Sequence, residues 1–135
     1  MHDPAFAGSK TAVRSINVPL TSLSIVILEV KDLPQLARGR TLGAHVHTRA
    51  CSADAAASGP HHANPAASPA LSLAAREVWL DLNIDGSGRG MAIALFDWRI
   101  KKGDAGSVVI HADPTHAVTG AAGARVLCTA ISLGD

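Results

Sequence analysis

Apolar and polar residues alternate with a period of two in several short stretches of this chain, and no long stretch carries a 3.6-residue repeat. The alternation is clearest over residues 77–85. There Val78, Leu80, Leu82 and Ile84 share one face, and Glu77, Trp79, Asp81 and Asn83 the other. The run at 23–30, LSIVILEV, is rich in β-branched residues and lacks glycine and proline, so it predicts a second strand. Further strands are predicted at 11–19, 39–48, 91–98, 107–112 and 125–132. Turn chemistry separates them at Asp32-Leu33-Pro34, at Asp85-Gly86-Ser87-Gly88 and over 101–106. Residues 49–75 read as one long Ala/Ser/Pro-rich loop, with a short helical turn possible over 71–76. About seven to eight short strands with turns between them predict an all-β fold, a Greek-key barrel or sandwich.

A chain of 135 residues is one domain by length, placed at 11–135, with residues 1–10 reading as a flexible leader or tag remnant. Apolar residues make up 47%, which excludes a disordered chain. The formal net charge of +1 gives no bulk attraction to nucleic acid or to an anionic membrane. No apolar run is long enough to span a bilayer, so membrane insertion is not expected. The N-terminus has no apolar segment of the signal-peptide kind. Monomer and homodimer are equally compatible with all of this.

The candidate chemistry lies in residues 43–65, GAHVHTRACSADAAASGPHHANP, which hold four of the seven histidines and one of the two cysteines. His45 and His47 sit two apart on a predicted strand, so their imidazoles share a face. The chain then passes Cys51 and returns a histidine in Gly59-Pro60-His61-His62. Imidazoles gathered in this way suit copper or zinc. On the 107–112 strand, His111 lies on the face opposite Val108 and Ile110. His2 and His116 have no partner pattern and read as surface residues. The run Asp81-Leu82-Asn83-Ile84-Asp85-Gly86 matches the start of a calcium loop, but the twelfth position is Ala92 and the flanks are strands, so a polar strand face entering a turn is the better reading.

The order His-Val-His, Cys, Gly-Pro-His, Val-Val-Ile-His-Ala and Gly-Ala-Arg-x-x-Cys resembles the copper/zinc superoxide dismutase family over about two thirds of the chain. The resemblance implies an eight-stranded Greek-key barrel with metal held outside it by long loops. It implies that His45, His47 and His111 are copper ligands and that Cys51 and Cys128 form a disulfide. It also implies that Arg125 guides the superoxide anion. The bridging-type ligand is His61 by the Gly-Pro-His fragment, the favoured reading, or His62 by the fragment His62-Ala63-Asn64-Pro65.

This sequence departs from the family where zinc would bind. Residues 65–89 contain no histidine, and Asp81 is the one carboxylate that echoes a family zinc ligand. The segment from His111 to Arg125 is also short. Both features resemble the copper-only branch, so copper is the expected cofactor and zinc is not expected. In that branch a carboxylate orients the bridging-type histidine; Glu77 is the candidate and Asp81 the runner-up. The function implied is copper-dependent superoxide dismutation, with a non-enzymatic copper-binding or structural domain as the alternative. A disulfide would favour the periplasm or the cell exterior.

Overall fold

The run Ser24-Ile25-Val26-Ile27-Leu28-Glu29-Val30-Lys31 forms the central strand of the larger sheet, because its β-branched residues suit the pleat and one face is wholly apolar apart from Ser24. The computed structural model describes residues 2–132. Its strands are β1 (Lys10–Asn17), β2 (Ser24–Lys31), β3 (Thr41–Leu42), β4 (Ala44–His47), β5 (Leu82–Asn83), β6 (Gly90–Phe96), β7 (Ser107–His111) and β8 (Arg125–Ala130). Among the described residues one short α-helix, α1 (Leu73–Arg76), precedes β5, and 3-10 turns span Pro4–Phe6, Gln35–Ala37 and Ala55–Ser58. Every ladder is antiparallel. The strands form three sheets, ordered β1-β2-β6, β3-β5 and β4-β7-β8, without closing into one continuous barrel among the described residues. The fold is all-β.

The core lies between the two three-stranded sheets. Val26, Leu28 and Val30 of β2 meet Ala44 and Val46 of β4 and Val108 and Ile110 of β7 in one cluster, all buried. Fully burying a side chain of this size contributes roughly 1.5–3 kcal/mol. The alternation over 77–84 is realised on the inner side, with Val78, Leu80, Leu82 and Ile84 all at 3% exposure or less. On the outer side it leaves Glu77 beside His61, Trp79 beside His45, and Asp81 linked to His45 through Thr115.

Three sequence expectations are corrected. The 39–48 strand is interrupted at Gly43, where a Cβ would lie 2.8 Å from both Asp113 O and Thr115 Oγ1, so the chain needs glycine to let residues 113–115 approach. The 77–85 strand is a ladder only at β5; upstream it touches its neighbours at isolated bridges, Glu77 with Ala63 and Trp79 with His45. The reason is that β4 already pairs with β7 on one edge and shares its other edge between residues 61–62 and 78–80. Residues 2–9 are docked, not loose: His2 and Asp3 donate their backbone N–H groups to Val126 O, and Phe6 is 2% exposed in the core. Met1 and residues 133–135 lie outside the described residues.

Candidate metal centre

Strand geometry brings four histidines together. His45 and His47 alternate with core residues on β4, so both rings leave the core on the same side, and both are fully buried under the loops. His111 ends β7, the neighbour of β4, and its N–H donates to Gly43 O at 2.7 Å. His61 arrives from the other side, where the returning loop adds to the free edge of β4: Thr48 N–H donates to Pro60 O and His62 N–H to Val46 O. The ligand nitrogens of His45, His47, His61 and His111 lie within 4.8 Å of one another. His111 is 4% exposed and His61 half-buried, so access runs past His61.

The hydrogen bonds assign a tautomer to each ring. His47 Nδ1 donates to Gly59 O at 2.8 Å, His111 Nδ1 to Gly123 O at 3.0 Å, and His61 Nδ1 to Glu77 Oε1 at 2.8 Å. A neutral imidazole carries one N–H, so in all three the Nε2 lone pair is left for the centre. His45 is reversed. Thr115 Oγ1 donates to Asp81 Oδ1 at 2.6 Å and so accepts from His45 Nε2–H at 2.8 Å. This leaves His45 Nδ1 as the lone pair, and that atom is buried with no hydrogen-bond partner. Two of the lone pairs, on His47 Nε2 and His111 Nε2, stand 3.4 Å apart. Acceptors facing at that distance repel, and a cation between them relieves it.

Protons do not fill that role. Burial lowers His45 to about 2, assisted by the charges of the neighbouring imidazoles. Burial lowers His47 to about 4, against the opposing pull of the Gly59 carbonyl. Burial also lowers His111. Each ring is therefore neutral at pH 7, the state in which imidazole binds metal. Three Nε2 atoms and one Nδ1 form an all-imidazole donor set that fits a copper or zinc ion.

The predicted site residues separate into distinct roles. Glu77 Oε1 receives both His61 Nδ1–H and Trp79 Nε1–H, each at 2.8 Å. Burial pushes the Glu77 carboxyl up, but these two hydrogen bonds outweigh it and the group stays a carboxylate. Asp81, the other candidate for orienting His61, does not reach it. Its oxygens accept Thr115 Oγ1, Thr115 N–H at 2.9 Å and Ala44 N–H at 3.3 Å, so it acts behind His45. His62 is not among the gathered ligands. Its Nε2 accepts from Trp98 Nε1 at 3.1 Å and its Nδ1 donates to Asp104 O at 3.2 Å, which occupies both nitrogens. Neighbouring histidines on an extended segment point to opposite sides, so only one could enter the cluster.

Arg125 lies opposite His111 in the β7–β8 ladder. Its guanidinium donates to Ser58 Oγ at 2.6 Å and to Ala55 O at 3.1 Å, and its charge depresses His47 and His111 further. Cys51 and Cys128 form a disulfide across 77 residues, tying the start of the loop to β8. His2 is not a plain surface residue, since both its ring nitrogens are shielded from solvent. His116 Nδ1 accepts the N–H groups of Val118 and Thr119 and caps its own turn. Asp85 accepts Ser87 and Arg89 N–H groups across its turn, so it and Asp81 serve separate local structures.

Sequence reasoning missed Thr115, Ser58 and Trp79. Thr115 sits in an Asp-Pro-Thr turn with no metal-site signal, and only the three-dimensional approach to Gly43 reveals it. No protein-family model matches this chain, and no curated protein matches it. Among the described residues, no helix is long and apolar enough to cross a membrane.

Proposed function

We propose that this chain is a copper-dependent superoxide dismutase that works without zinc, similar to the copper-only branch of the copper/zinc family. The observation that carries this reading is the convergence of four imidazoles with a carboxylate, Glu77, bonded to the outer nitrogen of His61. In the two-metal members of the family that nitrogen faces zinc; here it is already engaged. Copper bound at this centre supplies a Cu(II)/Cu(I) couple, by which one superoxide is oxidised to dioxygen and the next is reduced, with two protons, to hydrogen peroxide.

The chain's own residues do the rest. His47, His111 and His45 hold fixed tautomers through Gly59, Gly123 and Thr115, so their lone pairs are preorganised. His61 is the most accessible ring. Its Nε2 would serve in turn as metal ligand and, when free of the metal, as the atom that holds a proton for the reduced product, while Glu77 accepts Nδ1–H. Arg125 draws the small anion toward the cluster, an attraction that salt weakens. The disulfide favours an oxidising compartment, the periplasm or the exterior.

A second reading, a copper-binding domain without turnover, is favoured by one observation: His45 and His47 are 0% exposed and His111 4%, which suits retention of a metal. Superoxide dismutation by protein loaded with copper alone, with bound metals counted, separates the two. Activity at one copper and no zinc supports the enzyme. Copper bound tightly without activity supports the binding domain.

A further inference from the structure

Aromatic side chains are scarce in this chain, which holds two tryptophans, two phenylalanines and no tyrosine. Three of these four, Trp79, Phe96 and Trp98, line one groove of about 690 Å³. That volume falls in the range of small-molecule sites. The sequence accounts for the space. Residues 64–75 contribute mostly alanine to the lining, and the end of β6 and the two residues after it supply another part. Of the residues assigned to the metal centre, Glu77 and Trp79 also line this groove.

Both indoles are held at their N–H groups. Trp79 Nε1 donates to Glu77 Oε1 at 2.8 Å, and Trp98 Nε1 to His62 Nε2 at 3.1 Å. The Phe96 ring packs on Trp98, with centroids 4.7 Å apart. Glu77 and Asp97 bring carboxylates to the same groove. Glu77 takes its two hydrogen bonds on Oε1, and Asp97 takes the Ser22 hydroxyl on Oδ1. Each keeps a second oxygen without a hydrogen-bond partner among the described residues. Among the described residues, no lysine, arginine or histidine lines the groove. Arg76, next to Glu77 in the chain, turns its Nε to Leu71 O at 3.0 Å and is not part of the lining.

We infer that this groove binds a small alkylammonium ion, its charge set among the two indoles and the two carboxylates, and its alkyl groups against Leu71, Ile93 and Leu95. Indole is the strongest of the aromatic side chains as a partner for a cation. An anion would meet two carboxylates and no counter-charge. A neutral ligand would strip water from those carboxylates and return nothing for it. A small metal ion holds its water too tightly for aromatic faces to replace. An alkylammonium ion is weakly hydrated, and it uses the aliphatic, aromatic and acidic parts of the lining together. The site stands whether or not the metal centre turns over superoxide.

Intrinsic fluorescence tests this, because both tryptophans line the groove and no tyrosine contributes to the signal. The full, disulfide-bonded chain is titrated at constant ionic strength with choline and with tetramethylammonium. The controls are sodium and the uncharged carbon isostere of choline. The expected result is a saturable change with the two ammonium ions, a response at least about tenfold weaker to the isostere, and none to sodium. Asp97→Asn keeps both tryptophans and weakens choline binding about fivefold, with copper stoichiometry unchanged; Trp98→Leu weakens it at least as much. Phosphatidylcholine vesicles present the same head group beside a phosphate. They give no change, since no basic side chain lines the groove to meet that phosphate. No saturable change with either ammonium ion at millimolar concentration overturns the inference. So does an equal response to choline and its isostere, a response to vesicles alone, or an Asp97→Asn variant that binds as the wild type does.

Discussion

Replacing Thr115 with valine removes one oxygen and almost no volume, and it cuts the link between Asp81 and His45. In the native chain the hydroxyl accepts His45 Nε2–H at 2.8 Å while donating to Asp81 at 2.6 Å. After the substitution, Asp81 keeps Ala44 N–H and the backbone N–H of residue 115. His45 keeps nothing, and its ring is 0% exposed. A buried N–H without an acceptor costs about 1–3 kcal/mol. Neither ring nitrogen then has a hydrogen-bond partner, so nothing holds the proton on Nε2 and the Nδ1 lone pair offered to the metal is no longer fixed. Loss of an outer partner of this kind costs roughly 10–100-fold in metal affinity, about 1.4–2.8 kcal/mol. Competition against a chromogenic copper chelator measures that loss, and electron paramagnetic resonance of the Cu(II) form reads the altered donor geometry. Thr115→Ser keeps the hydroxyl and should bind as the wild type does. A valine variant that folds, binds copper within about twofold of wild type and gives the same spectrum refutes the tautomer argument.

Further predictions follow from the same geometry. His61→Ala should lower copper stoichiometry or affinity sharply, whereas His62→Ala should keep the copper and lose stability through the packing of a buried ring and its bonds to Trp98 and Asp104, read by metal counting and thermal denaturation. Glu77→Ala should weaken copper binding about 10–100-fold and Glu77→Gln less, since glutamine still accepts one N–H; equal effects would count against an orienting role. The metal-free chain should be less stable in acid. His45 and His47 titrate far below 6.5 when folded, so the unfolded state binds more protons under that pH, and stability falls by roughly 1.4 kcal/mol per pH unit for each ring between 6.5 and its folded value. Denaturant midpoints near pH 7 and near pH 5 measure this, and equal midpoints would sink it. Reducing the disulfide should cost about 4 kcal/mol from loop-closure entropy across its 77-residue separation, seen as a lower midpoint with reductant.

The histidine faces were legible in the sequence because a period of two is a local property. His45, His47 and His111 each alternate with core residues, and no tertiary information is needed to place them opposite Val46 and Ile110. The same rule gave the inner face of residues 78–84 and put Glu77 and Asp81 together on the polar face; that one of them orients His61 came only from the family resemblance. Two adjacent histidines defeat the rule, since it says that 61 and 62 diverge without saying which turns inward. Only the bridge between His47 and His61 decides it. Thr115 was illegible for a different reason. Its role depends on a loop lying against Gly43, 72 residues away in the chain, and no local pattern encodes that approach. Residues 2–9 look loose by composition, yet one buried phenylalanine is enough to dock them.

Ser58 and Gly59 are neighbours in sequence, and they hold different things. The Ser58 hydroxyl anchors Arg125, and the Gly59 carbonyl fixes the ring of His47. Two residues later His61 joins the edge of β4. The two halves of this long loop therefore differ in how much change they tolerate. Between Ala66 and Ala70 the backbone bonds are to its own short turns, and a few added residues there leave the ligands in register. One residue added between Ser58 and His61 would displace an arginine, a tautomer and a ligand in a single event. Related chains in which this loop has grown or shrunk should therefore carry the change on the far side of His61.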